Sequence, residues 1–169
     1  RGVGPACGSE WKGQLLGEIS EAAEEMLRLG HKQKGRQHRV EATQNQLADH
    51  LGWDESRFMR LGWRLPDSYW LAEPIEVLEA NARFVDAADR NPASAKPLWT
   101  GVQADRGGTL VTIYAKDQPG LFYRVAGAIS LAGGNIIDAR IHTTDDGMAL
   151  DNFLVQDIAG GPFEDEHPL

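Results

Sequence analysis

The run Asp117-Gln118-Pro119-Gly120-Leu121-Phe122 stands between a β-type stretch and a helical stripe. It holds residue types that suit a small zwitterion. Pro119 fits a first helical turn. Gly120 lets a ligand or another backbone come near. A helix N-terminus presents unpaired N–H groups to a carboxylate, and Asp117 offers an acceptor for an ammonium group. Together these suit an amino acid. The same residues also allow a plainer reading, in which Asp117 caps the helix and Pro119 starts it.

Elsewhere the chemistry-bearing residues are scattered. The five histidines are His31, His38, His50, His142 and His167, and no pair has the four-residue helical spacing of a zinc protease. Asp49-His50 reverses the order of a metal-binding His-Asp pair, so no metal site is expected. Cys7 is the single cysteine. It has no marked base beside it, so no nucleophile is expected, and it excludes an intramolecular disulfide and fits a reducing compartment. Arg28, Lys32, Lys34, Arg36 and Arg39 form a basic run without aromatic interleaving or a recognition helix, so nucleic acid is not expected as a partner. The run reads as a solvated loop between helices or as a docking surface for an acidic partner. Gly13-x-x-x-Gly17 resembles a helix-dimerisation spacing of membrane spans, and in this polar context it reads as room for a neighbouring helix.

Two regions of different periodicity must position these residues. The chain has 169 residues, 41% hydrophobic and 25% charged, with a net charge of −8. That is ordinary globular composition, and no apolar run is long enough for a membrane span. Residues 1–97 carry 13 Lys/Arg and 15 Asp/Glu, and residues 98–169 carry 4 and 10. Trp11, Leu15, Ile19, Ala22, Met26 and Leu29 share one helical face, with Ser9 to cap the helix and Gly30 to end it. A second helix carries Val40, Leu47 and Leu51 and ends at Gly52. A third starts at Asp54. Pro66 breaks the chain, and a fourth helix starts at Pro74 and stops before Asn91-Pro92. Residues 91–97 read as a linker, dividing a helical region at 1–90 from a β-rich region at 98–169. There, Leu98–Ala104 and Thr109–Lys116 flank a hairpin signal at Asp105–Gly108. A helix follows with Leu121, Val125, Ala128, Ile129 and Ala132. Ile137, Ala139 and Ile141 alternate with Asp138, Arg140 and His142, and Ala149–Asp157 is a further strand. The expected order is β-β-α-β-β after the helices, an α+β fold.

Asp117-x-Pro119-Gly120-Leu121 followed by Gly133-Gly134-Asn135-Ile136 resembles the ACT domain, a ligand-sensing βαββαβ module of ferredoxin-like fold. Asn135–Ile141 with Thr143–Asp151 is similar, more narrowly, to the first ACT domain of the bifunctional PII uridylyltransferase/uridylyl-removing enzymes. Arg1–Pro5, Trp11–Leu16 and Leu65-Pro66-x-x-Tyr69-Trp70-Leu71 resemble the segments after that family's HD hydrolase core and before its ACT repeat.

The resemblance implies a glutamine-sensing regulatory part of an enzyme that controls nitrogen metabolism by modifying the signal protein PII. The parent enzyme uses UTP with Mg or Mn. Its nucleotidyltransferase motifs and HD metal ligands are absent here, so this chain holds no catalytic residues and is expected to be inactive alone. The effector site is placed at Asp117, Gln118, Pro119, Gly120, Leu121 and Phe122 with Asn135 and Ile136 opposite. The chain begins without Met and stops after Phe163-Glu164, so it reads as a piece of a longer protein with a C-terminally truncated ACT domain. In a complete ACT fold the last strand pairs with the first, here Thr109–Lys116, and Leu98–Ala104 is expected to take that edge instead. A homodimer through the ACT sheet and a cytoplasmic location are also expected. The rivals are an ACT domain of another amino-acid-responsive enzyme and a structural interdomain module without a ligand.

Overall fold

The computed structural model describes residues 10–91, 98–105 and 107–162. The Ser9 cap, the linker at 92–97 and the Phe163-Glu164 helix start lie outside the described residues. The chain divides into two compact units, residues 1–42 and 43–169.

The first unit consists, in its described part, of helix α1 (Glu10–Leu51) as far as Ala42. The sequence suggests a break at Gly30 and a basic loop after it; the helix instead runs through both. No proline lies between Glu10 and Leu51, and Leu, Met, Gln, Lys, Arg and Glu surround the glycines. Each mid-helix glycine costs about 1 kcal/mol against alanine, too little to stop a helix so flanked. Pairs one turn apart add support: Arg28 grips Glu25 at 2.7 and 2.9 Å, and Gln37 donates to Glu41 at 3.3 Å. The basic run is therefore an exposed part of a helix and not a loop.

In the second unit, α1 ends at Gly52, whose φ of 60° suits glycine. Helix α2 (Glu55–Gly62) starts as expected at Asp54, whose side chain accepts from the Arg57 amide at 2.9 Å. Pro66 does more than break the chain, since it also begins a short helix, α3 (Asp67–Ala72). Helix α4 (Ile75–Arg90) follows Pro74 and stops before Asn91. Tyr69 and Trp70 from α3 meet edge to face at 5.2 Å and are almost fully buried with Leu47, Leu61 and Leu78.

The sheet contains β1 (Leu98–Asp105), β2 (Gly108–Lys116), β3 (Asn135–Thr143) and β4 (Met148–Gln156), with helix α5 (Leu121–Leu131) between β2 and β3. It is antiparallel throughout, in the order β1-β2-β4-β3. The expected hairpin is present: Leu98 pairs with Ala115 and Asp105 with Gly108. β1 thus occupies the edge beside β2. A bulge between Ile136 and Asp138 shifts the register of β3, so Ile136 and Ala139 pack on the core while Ile137 stands 46% exposed.

One face of the sheet receives α5 through Ile113, Ala115, Leu121, Val125, Phe153 and Val155. The other faces α3 and α4 and carries Thr112, Tyr114, His142 and Asn152. Gly134, where the chain leaves α5, is pressed against Val155 and Ile129: an added Cβ would lie 2.7 Å from a Val155 methyl carbon, 2.8 Å from an Ile129 methyl carbon and 3.1 Å from the Ile129 carbonyl oxygen. Gly134→Ala is expected to cost about 1–3 kcal/mol, in the range of overpacking. Urea denaturation checks this, and an unchanged midpoint contradicts it.

Candidate functional site

Strand β2 delivers Asp117 to a short loop that α5 then closes. The Asp117 amide donates to the Gly147 carbonyl at 3.0 Å, tying the loop to the β3–β4 turn. The Leu121 amide donates to Gln118 at 3.1 Å, and the Arg124 amide to Gly120 at 3.1 Å. Gly120 is the residue that starts α5, at φ 78°, a conformation in which L side chains are strained. Pro119 therefore precedes the helix and does not occupy its first turn. Nothing lies within 4 Å of the position a Gly120 Cβ would take, so a larger residue there acts through backbone strain and not by filling a tight approach.

No side chain caps α5, so Asp117 does not serve as a helix cap. Residues 117–120 are exposed, Leu121 is buried, and Phe122, 37% exposed, stacks on Phe153 at 5.7 Å. The loop thus presents an open carboxylate beside an uncapped helix start. Asn135 and Ile136 are not brought to it. Lys116, just before the loop, pairs with Met148 at one end of β4, whereas Ile136 pairs with Val155 at the other. Helix α5 runs from the loop to that far end, so the two parts of the expected site sit at opposite ends of one module.

Next to the loop the structure adds a residue that sequence reasoning missed. Asp151 lies on the α5 side of β4 between Ile113 and Ile141 and is 1% exposed. One of its oxygens, Oδ1, has no hydrogen-bond partner. Burial pushes its carboxyl up to about 6, the backbone hydrogen bond from His142 opposes this, and the charge of Asp117 adds to it. The signal was available: Asp151 interrupts the inward positions Ala149, Phe153 and Val155.

The opposite face of the sheet is held by a second buried carboxylate. Glu73, which ends α3, has a side chain 1% exposed. Its Oε1 lies 2.8 Å from His142 Nε2 and accepts from Asn152 Nδ2 at 3.1 Å, while Oε2 accepts from Arg140 Nη1 at 2.9 Å. Desolvation works against its ionisation, but the bonds from His142, Asn152 and Arg140 outweigh it and hold the carboxyl below its ordinary value. Tyr69 packs edge-on against the His142 ring at 4.9 Å. Arg64 makes a second tie, with ion pairs to Asp89 at 2.6 Å and Asp146 at 2.9 Å and a hydrogen bond to the Tyr114 hydroxyl. The Arg64 carbonyl also accepts from the Asp145 amide at 2.8 Å. The β3–β4 turn is therefore bonded to the loop at Asp117 on one side and to the helices at Arg64 on the other.

Among the described residues, no group of three or more His, Cys, Asp or Glu side chains is placed to hold a metal ion, and no helix is long and apolar enough to cross a membrane.

The ACT domain family profile matches residues 109–162. A bifunctional uridylyltransferase/uridylyl-removing enzyme of Erythrobacter litoralis is 50% identical over 169 residues, which is 100% of this chain and 18% of the relative. The enzyme of the same description from Novosphingobium aromaticivorans is 48% identical over 98% of this chain and 18% of its own length. That from Zymomonas mobilis is 44% identical over 94% of this chain and 17% of its own length. The chain thus spans under a fifth of the curated relatives it matches. No solved structure matches it.

Proposed function

Because the chain is homologous over its whole length to bifunctional uridylyltransferase/uridylyl-removing enzymes and carries an ACT domain at residues 109–162, we propose that it is the glutamine-sensing regulatory segment of such an enzyme. The transferase and hydrolase chemistry on PII, with UTP and Mg or Mn, belongs to other parts of that enzyme. The observation that carries this reading is the loop at 117–122, where an open Asp117 carboxylate and an uncapped helix N-terminus offer complementary partners to the ammonium and carboxylate of one amino acid.

Asn135 and Ile136 lie at the far end of β4 from that loop, so they complete the pocket from a second module. A two-fold pair of sheets brings the far end of one beside the loop of the other, which is how the homodimer enters the proposal. Effector binding at the loop pulls on the β3–β4 turn through the Asp117–Gly147 bond, and the turn passes the change to the helices through Arg64. The enzyme works in the cytoplasm.

The test is the glutamine response of uridylyl transfer and removal in the full-length enzyme. Asp117→Asn is expected to weaken that response about tenfold or more, for loss of a charge-assisted contact of about 1.5–3 kcal/mol, with basal rates unchanged. A wild-type glutamine response in this variant places the effector elsewhere.

A further inference from the structure

On the helical side of the sheet, away from the loop at 117–122, the structure holds a cavity. It opens where α2, the C-terminal half of α4 and the end of the sheet meet, with a volume of about 580 Å³. That is within the usual range for small-molecule sites, about 300–1,000 Å³. Its walls carry four guanidinium groups, from Arg57, Arg60, Arg64 and Arg90, against three carboxylates, from Asp86, Asp89 and Asp146.

Three of the arginines are committed. Arg57 grips Asp86 at 2.7 and 3.2 Å, with its guanidinium 4.0 Å from the Trp53 ring centroid. Arg90 shares Asp86 at 3.1 Å. Arg64 takes Asp89 and Asp146. Arg60 is different. It is exposed, and among the described residues no hydrogen bond or ion pair reaches it; its charge acts on Asp54 and Asp86 through space. Three positions further along the same helical turn stands Trp63, 59% exposed, so the free cation and the open indole are neighbours. Leu61, Val85 and Met148 give the cavity an apolar floor.

We propose that this cavity binds a nucleotide, with its phosphate on Arg60 and its base stacked on Trp63. A guanidinium matches phosphate geometry, and an indole face accepts any base by stacking. The charge balance favours this ligand over an acidic peptide. The walls have one positive charge in excess, and Asp89 and Asp146 remain 45% and 38% exposed, where they repel a ligand with carboxylates along its length. A nucleotide concentrates its charge at one end and presents a neutral plane at the other.

Calorimetric titration of the 169-residue chain with AMP and UMP tests this, with inorganic phosphate and uridine as separate arms. Both nucleotides are expected to bind more tightly than either part alone. Arg60→Ala and Trp63→Leu are each expected to weaken binding about tenfold or more while leaving the circular-dichroism melt unchanged, since both side chains are exposed. The proposal is overturned if neither nucleotide binds at millimolar concentration, if both variants bind as wild type does, or if phosphate alone binds as tightly as the nucleotides. It is also overturned if an Asp/Glu-rich peptide binds through Arg60 where nucleotides do not.

Discussion

Glu73→Ala lowers the stability of the second unit by about 3 kcal/mol, near the lower bound for removing one partner of a buried ion pair. The substitution takes away the acceptor shared by His142, Asn152 and Arg140. Arg140, whose side chain is 40% exposed, can turn to water, but the His142 side chain is 6% exposed and Asn152 is buried. Those two keep unpaired polar atoms, and that sets most of the loss. Glu73→Gln loses less because a carbonyl oxygen remains for one of them. Acid works in the same direction. The Glu73 carboxyl is held below its ordinary value of 4.5, so its contribution is present above that unfolded value and disappears as pH falls through the lower folded value. Urea denaturation at pH 7 measures the loss, and a variant within 0.5 kcal/mol of wild type would show that the cluster contributes little.

The pH profile of Asp151→Asn carries the opposite sign. The Asp151 carboxyl titrates near 6 in the folded chain, against an ordinary 3.8. The folded state therefore holds this proton more tightly than the unfolded state does. Stability from this residue is complete below the unfolded value, falls as pH rises, and is lost once pH has passed the folded value. A shift of about two units corresponds to about 3 kcal/mol at 1.36 kcal/mol per unit. Asparagine leaves a buried amide with an imperfect partner set, at a cost that does not depend on pH. The difference between variant and wild type is therefore expected to move in the variant's favour by about 2.5 kcal/mol between pH 4 and pH 8. Parallel stability curves across that range would mean that Asp151 does not titrate as its burial implies.

Much of this architecture is legible from local pattern. Asp54 and Pro74 mark helix starts, Gly52 and Asn91 mark ends, and Asp105–Gly108 marks the hairpin. What escapes is set by competition or by distance. Gly30 reads as a stop because glycine is a weak helix former, but no second signal acts with it. Pro66 reads as a break because proline ends helices, though it starts them equally well. The elements of the candidate site are legible in part. Its loop depends on neighbouring residues, whereas the separation of Asn135 from Asp117 follows from helix α5 carrying the chain from one end of the sheet to the other. The Glu73 cluster joins residues 67 to 79 positions apart, and periodicity carries no information over that span.

The place of β1 has a consequence in time. Its partner β2 follows after a turn only two residues long, whereas β4 begins more than thirty residues after β2 ends. A hairpin of this kind closes in about 1–10 μs, while synthesis proceeds at about 5–20 residues per second. Leaving the ribosome, β1 and β2 therefore emerge and pair ahead of β4. Through those seconds one edge of β2 is already covered, and only the edge reserved for β4 waits open.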